Sequence, residues 1–200
     1  NSTSSETVSV DAVTNASALT LTQSNGATFE GAVNAGTITL SDTTNNADIL
    51  FQGNVTATTL STASQGYDLS LTGGSTTITN AVTFQNTGTL NLGNAAGDTL
   101  TFNGGLTEST SGTVTLASTI NSSNDAITFG AITLGANTVI NAAGGAIVTG
   151  NITGTSGQDI TISSASGSTN TAVINGTIGA GGNINTIVAI AGAVAFGGNV

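Results

Sequence analysis

The chain has 200 residues, ten carboxylates and a formal net charge of −10, and it contains no Lys, Arg, His, Cys, Met, Trp or Pro. Without a cation it cannot displace counterions from phosphates, so nucleic acid and anionic lipid are excluded as partners. Without His, Lys or Cys it lacks the bases of Ser–His and Cys–His catalysis, and it has neither disulfides nor thiolate metal sites.

Gly, Ser, Thr and Asn are abundant, as they are in many disordered chains. Disordered chains, however, are highly charged and poor in β-branched residues. In this chain only 5% of all residues are charged, and the β-branched residues Val, Ile and Thr are frequent. We therefore expect a folded all-β protein, with one domain over residues 1–200. Residues 1–17 are predicted to be an irregular N-terminal segment or a first rung.

From Ala18 onward, apolar residues two positions apart alternate with Thr, Ser or Asn, which is typical of a strand that is buried on one face. Helical repeats are excluded, because they need a period of 3.6 and better helix formers. The apolar pairs are Leu19 and Leu21, Ile38 and Leu40, Leu69 and Leu71, Leu90 and Leu92, Val114 and Leu116, Ile132 and Leu134, and Ile160 and Ile162.

A second strand type ends in Phe. Four of the six Phe residues begin a Phe-x-Gly-x-Val/Leu unit, at residues 29–33, 51–55, 102–106 and 196–200. Together with weaker relatives, these units recur with a loose period near 20 to 27 residues, interrupted by one interval of 33. Such a period is typical of repeat architectures, and we interpret the long interval as holding an inserted strand.

The segment AITFGAITL indicates how the corners are made. Ile127 and Phe129 share one parity while Ile132 and Leu134 share the other, so the chain must bend near Gly130. The missing Pro fits stacked strands whose N–H groups all bond to the next rung. We predict a single parallel β-solenoid of about eight to ten rungs, with apolar side chains inside and Thr, Ser and Asn ladders outside.

Two strings carry a family resemblance: NDAITFGAITLGANTVINAAGGAIVTGNI (124–152) and GTLNLGNAAGDTLTFNGGL (88–106). They resemble the repeats of large bacterial surface proteins of the filamentous haemagglutinin and autotransporter-passenger type. The resemblance covers the chain from about Ala18 to Val200 and lies in composition and period. It implies a right-handed parallel β-helix that is secreted to the cell surface, with an adhesive or structural role, and it transfers no catalytic residue.

Carboxylates are the only side chains left for chemistry. Asp42 with Asp48, or Asp98 with Asp125, could approach each other across rungs as a glycosidase pair. Calcium is the one metal that these side chains permit, because it prefers carboxylate and carbonyl oxygen ligands. Its candidate ligands are Asp42, Asp48 and Asp125. We interpret these residues as solvated turn carboxylates, and we predict no enzyme activity and no cofactor.

Outward Thr residues leave a binding module open as the alternative. A regular Thr array on a flat face would resemble that of ice-binding solenoids, and an adhesin that binds a carbohydrate receptor belongs to the same class. The Thr-x-Thr pairs are Thr20 and Thr22, Thr37 and Thr39, Thr99 and Thr101, and Thr113 and Thr115.

Residues 184–200 finish on a Phe-x-Gly-x-Val unit with no polar cap after it, and an uncapped solenoid edge recruits another chain. We predict a self-association end at Val194, Phe196 and Val200, covered by a continuation of the chain or by a copy stacked end to end. The function favoured is a non-catalytic structural protein of the cell surface or of an extracellular filament. Its expected partners are itself and host or neighbouring cell-surface glycans, without membrane insertion.

Overall fold

The computed structural model describes residues 6–41, 44–164, 171–179 and 184–198. Over these ranges the chain forms 23 strands and no helix, and every strand pair is parallel. The strands make three sheets, A, B and C. The first three rungs alternate between sheets A and B, and from the fourth rung the chain visits A, B and C in turn. The predicted fold class is thereby confirmed as a parallel β-solenoid of about 8 turns.

Sheets A and B run nearly the whole length of the described chain, whereas sheet C begins later. Sheet A consists of β1 (Val8–Val10), β3 (Ala27–Phe29), β5 (Asp48–Phe51), β7 (Asp68–Leu71), β10 (Thr89–Leu92), β13 (Thr113–Leu116), β16 (Ile132–Leu134) and β19 (Ile152–Gly154). Sheet B consists of β2 (Val13–Leu21), β4 (Val33–Leu40), β6 (Val55–Thr62), β8 (Ser75–Ile78), β11 (Thr99–Phe102), β14 (Thr119–Asn121), β17 (Thr138–Asn141), β20 (Gln158–Ser163) and β22 (Ile184–Ile190). Sheet C consists of β9 (Val82–Phe84), β12 (Leu106–Glu108), β15 (Ile127–Thr128), β18 (Ile147–Thr149), β21 (Thr171–Ile174) and β23 (Ala193–Phe196).

The strand register gives the rung length directly. One inward column of sheet A runs through Phe29, Phe51, Leu71, Leu92, Leu116, Leu134 and Gly154. Successive members are 18 to 24 residues apart. With about 4.8 Å between strands, eight rungs make a rod roughly 40 Å long.

The Phe units do not mark one equivalent position of the rung. Phe29 and Phe51 end strands of sheet A, Phe102 ends β11 of sheet B, and Phe196 ends β23 of sheet C. The alternating apolar pairs are likewise divided between sheets A and B. The prediction of two distinct strand types is therefore wrong, because every inward position of the three sheets accepts an apolar side chain.

Glycines stack on the backbone at the corner between sheets A and B. A Cβ placed on Gly53 would overlap the carbonyl group of Gly31, and one on Gly73 would overlap the carbonyl group of Gly53. None of these three glycines has a positive φ, so close approach between rungs is the reason for glycine here. The Gly of the Phe unit is thus the corner itself. The bend predicted at Gly130 is also confirmed, since the chain passes there from β15 of sheet C to β16 of sheet A.

The arrangement of strands within a rung changes once along the rod. In the first three rungs, β2, β4 and β6 are single strands of eight or nine residues. In the fourth rung the same path is divided: β8 pairs with the first half of β6, and β9 packs beside its second half. There the Thr62 hydroxyl donates to the Thr83 carbonyl at 3.3 Å and accepts from the Gln85 amide at 2.8 Å.

Apolar side chains fill the interior in continuous stacks. The Phe29 and Phe51 rings lie parallel, with centroids 4.5 Å apart and planes 7° apart. Phe84 and Phe102 meet edge to face at 5.8 Å, which joins sheets C and B across the core. Since stacked and edge-to-face ring pairs each add stability beyond burial, these contacts tie neighbouring rungs together.

Polar side chains form the outward ladders that the sequence predicts. Asn91 Nδ2 donates to Ser70 Oγ at 3.0 Å in sheet A, and Asn141 Nδ2 donates to Asn121 Oδ1 at 3.3 Å in sheet B. Each of these bonds joins equivalent positions of adjacent rungs. The ladders therefore run along the rod axis, parallel to the backbone hydrogen bonds.

Tyr67 makes the fold sensitive to alkali. Its side chain is fully buried, and its hydroxyl donates to the Leu40 carbonyl at 3.3 Å and accepts from the Ala63 amide at 3.2 Å. Burial raises the pKa of Tyr67 to about 12. Because this pKa exceeds the unfolded value of about 10, the stabilisation is complete below pH 10 and is lost as the pH rises through 12.

We expect the free energy of unfolding to fall between about pH 10 and pH 12, and to fall less in Tyr67→Phe. The chain has no Lys, Arg or Cys, so Tyr67 is the only side chain that titrates in this range. Denaturant unfolding at several pH values measures the effect, and the tyrosinate absorbance of the folded protein gives the pKa. A folded-state midpoint near the usual value of about 10 would contradict the burial argument.

Candidate functional site

The last rung leaves part of its interior uncovered. Phe196 lies in register over Ile174, and both side chains point inward. Ile174 is fully buried, whereas Phe196 is 45% exposed. Among the described residues no strand pairs with the outer edges of β22 and β23, which we call the C-terminal edge. Phe196 is therefore exposed because no other described residue lies over it in the way that Phe196 lies over Ile174.

Two of the three residues predicted for the self-association end lie at this edge. Val194 pairs in register with the buried Ala172, and Val194 and Phe196 occupy the inward face of β23. Val200 lies outside the described residues. The structure thus brings Val194 and Phe196 together at the C-terminal edge.

Sequence reasoning missed the contribution of β22. Ile187 and Ala189 pair with the buried Ile160 and Ile162, so they also point inward at the C-terminal edge. The alternate residues, Val188 and Ile190, point outward and are 40% and 44% exposed. The signal in the sequence is the string INTIVAI, in which consecutive apolar residues place apolar side chains on both faces of the strand.

At the opposite end of the described chain, the outer edge of the first rung is likewise not covered by a described strand. We call the outer edges of β1 and β2 the N-terminal edge, because no described strand pairs with them. Its inward residues pack on the core but stay half-buried. They are Val8, Val10, Val13, Ala16 and Leu19. The strand β2 carries a bulge here, with a register shift between Val13 and Ala16 and a left-handed Asn15 at φ 52°.

The two edges differ in charge. Glu6 and Asp11 are exposed beside the strands of the N-terminal edge. The last acidic residue of the chain is Asp159, so residues 160–200 are uncharged. The N-terminal edge is therefore acidic, and the C-terminal edge is neutral.

The structure places Asp98 and Asp125, one of the two predicted carboxylate pairs, at different corners of the solenoid. Asp98 lies at the corner between sheets A and B, where its Oδ2 accepts from the Asn94 and Ala95 amides at 2.8 and 3.1 Å. Asp125 is exposed at a corner between sheets B and C. Asp42 lies outside the described residues, so its pairing with Asp48 is not described.

The structure instead places Asp48 directly beside Asp68 in the register of β5 and β7. Asp68 Oδ1 accepts from the Thr89 amide at 2.5 Å. The signal in the sequence is the pair of strings DILF and DLSL, each of which begins a strand of sheet A. Alignment of those strings would have found this carboxylate pair.

One acidic residue is held between two amides of neighbouring rungs. Asp159 Oδ2 accepts from Asn137 Nδ2 at 3.4 Å, and Asp159 Oδ1 accepts from Asn185 Nδ2 at 2.9 Å. The Asp159 backbone amide in turn donates to Asn137 Oδ1 at 2.9 Å. A carboxylate flanked in this way meets donors above and below, so it does not repel its neighbours in the stack.

The Thr-x-Thr pairs are distributed over different faces. Thr113 and Thr115 lie in sheet A, and Thr99 and Thr101 lie in sheet B. The remaining pairs lie near the C-terminal halves of the long strands, where Thr20 pairs in register with Thr39 while Thr22 follows the end of β2. The four pairs therefore do not stack on one another as a single array.

A shallow, open groove crosses sheet A over the first rungs. Its polar lining includes Thr28, Asn45, Asn46 and Asp48. None of the described residues that line it is aromatic, and an aromatic ring is the usual platform on which a sugar ring stacks. The groove is polar and acidic in character.

The described ranges contain no group of three or more His, Cys, Asp or Glu side chains that could hold a metal ion. A helix long and apolar enough to cross a membrane is also lacking in that part of the chain. No family model, curated protein or solved structure matches the sequence. The strongest functional features of the described residues are therefore the N-terminal and C-terminal edges.

Proposed function

We propose that this chain is a non-catalytic structural protein of the cell surface or of an extracellular filament, where it acts as a stiff rod that associates through its ends. The observation that carries the proposal is the combination of three parallel sheets along one axis with open apolar edges. The resemblance of residues 88–106 and 124–152 to repeats of large bacterial surface proteins supports a secreted, surface-exposed location, with adhesion as a further role.

The stiffness of the rod follows from the direction of its hydrogen bonds. In all three sheets the backbone bonds run from rung to rung, so a load along the rod is shared among the sheets. The outward Asn ladder of β14 and β17 adds side-chain bonds in the same direction. Each rung contacts chiefly its neighbours, so the rod stiffens without any contact between distant rungs.

Resistance to proteolysis is the second property that suits an exposed rod. The sequence has no Lys or Arg and therefore no site for trypsin-like proteases. A protease of broad specificity needs an extended segment that can leave its sheet. Strands that are paired on both sides provide few such segments except at the two edges.

The proposal is tested by imaging, proteolysis and surface labelling. We expect electron micrographs of the purified chain to show narrow rods or filaments. We also expect a broad-specificity serine protease to trim the two edges and leave a resistant middle segment. Antibody should label intact cells of the source organism. Globular particles, rapid cleavage throughout the chain, or labelling only after the cells are opened would contradict the proposal.

A further inference from the structure

We infer that the C-terminal edge binds the N-terminal edge of a second copy of this chain, so that copies stack head to tail with one polarity. This inference rests on the proposed function and names the partner at the ends of the rod. Four features of the described residues carry it: the strand plan, the apolar cover, the charge and the direction of the edge amides.

The strand plan of the two edges matches a junction that the chain already contains. Within one molecule, the long strand β6 packs on the two separate strands β8 and β9. A head-to-tail contact would place the long strand β2 on the two separate strands β22 and β23. The contact therefore again sets one long strand against two separate strands, here of seven and four residues and with the long strand above them rather than below, and all strands remain parallel.

The apolar surfaces of the two edges are complementary. At the C-terminal edge, Ile187, Val194 and Phe196 point inward without cover. At the N-terminal edge, Val8 and Val13 are among the half-buried residues of the same interior. Head-to-tail stacking buries both sets at once, whereas a symmetric contact between two C-terminal edges leaves the N-terminal set exposed.

The distribution of charge also favours head-to-tail stacking. A contact between two N-terminal edges would bring Glu6 and Asp11 near their own copies, and the chain has no cation to offset the repulsion. A head-to-tail contact sets these acids against residues 160–200, which are uncharged. Long-range repulsion between two chains of charge −10 remains. Salt screens it, so assembly should increase with ionic strength.

The hydrogen bonds of the edge strands identify which amides face the partner. The Ile190 carbonyl accepts from the Ser164 amide of the preceding rung, so the neighbouring Ala189 directs its amide to the open edge. The Leu21 carbonyl accepts from the Ser41 amide of the following rung, so Thr20 directs its amide to the open N-terminal edge. These two amides are donors that a second copy can use.

Replacing Ala189 or Thr20 by Pro removes the amide that faces the partner and leaves the hydrogen bonds inside the rod intact. An edge strand tolerates Pro where its N–H faces solvent. We expect Ala189→Pro alone and Thr20→Pro alone to remain monomeric, and an equimolar mixture of the two to form a one-to-one dimer. The wild type should form longer assemblies. Sedimentation velocity at an ionic strength of about 0.5 M, where the Debye length is near 4 Å, measures these states.

The matched controls are Ala189→Ser and Thr20→Ser, which keep the edge amides and should assemble as the wild type does. Circular dichroism checks the fold of each variant. If a Pro variant loses its β signal, Ile187→Glu replaces it at the C-terminal edge and Val10→Glu at the N-terminal edge, since an inward charge also blocks pairing.

Three results would overturn the inference. Dimers of Thr20→Pro alone would indicate contact between two C-terminal edges, and unchanged assembly of both Pro variants would indicate lateral contact. A wild type that stays monomeric at every salt concentration would exclude stacking of this chain on itself. That last result would leave the rod, its protease resistance and its surface location standing, so the two proposals fail separately.

Discussion

Replacing Gly53 by Ala is expected to lower the free energy of unfolding by about 3 kcal/mol, the upper part of the range for overpacked sites. The added Cβ would overlap the carbonyl group of Gly31 in the rung below, and backbone atoms cannot move aside as a flexible side chain can. Relieving this overlap requires the backbone of residue 53 to move, and the movement also displaces the rung above, because Gly73 lies over Gly53. Urea unfolding followed by circular dichroism measures the change.

Gly97→Ala is the matched control for this variant. Gly97 has an exposed position and a φ outside the left-handed region, and a Cβ there would have no neighbour within 4 Å. We expect Gly97→Ala to be neutral or to stabilise the chain by up to about 1 kcal/mol, because Ala restricts the unfolded state. Equal losses in both variants would show that rung contact is not the reason for glycine at residue 53.

Glu108→Ala is expected to lower the free energy of unfolding by about 1 to 2 kcal/mol, since it removes the acceptor of two partly buried hydrogen bonds. Glu108 occupies an inward position of β12, in register with Phe84, and is 1% exposed. Its Oε1 accepts from the Thr110 and Ser111 amides, both at 2.7 Å. Denaturant unfolding gives the loss, and hydrogen exchange at those two amides locates it.

Glu108→Gln separates the acceptor from the charge. The Gln carbonyl can accept from both amides, and the change replaces a buried acidic side chain for which the sequence offers no cation as partner. We expect its stability to lie within about 1 kcal/mol of the wild type or above it. If Gln were as damaging as Ala, the hydrogen bonds to the turn would not explain the role of Glu108.

Alternation along the sequence was sufficient to predict the fold class but not the assignment of strands to sheets. The parity of Ile127, Phe129 and Ile132 located the bend at Gly130, because a change of inward phase requires a corner. The sequence of a strand does not reveal the sheet to which it belongs, since the inward positions of all three sheets are mostly apolar. The interval between Phe51 and Phe84 holds no insertion: Leu71 continues the column of sheet A, and Phe84 belongs to sheet C.

The candidate edges were predictable in part. Val194 and Phe196 follow from a Phe unit at the last rung, whereas Val188 and Ile190 point outward and carry no repeat signal. The N-terminal edge was not predicted as a surface, because the bulge at Asn15 interrupts the alternation in the first long strand. Only the register with β4 reveals that β2 belongs to the solenoid throughout.

The glycine column at residues 31, 53 and 73 also determines how a chain of this kind can change its length over generations. Each glycine makes room for the carbonyl of the rung below, and Gly31 and Gly53 are in turn covered by the glycine of the rung above. Inserting one residue in a rung would move a side chain into that space, whereas duplicating a whole rung would carry a new glycine to the right place. Tandem duplication of complete rungs is therefore the route by which such a rod can lengthen while every corner stays packed.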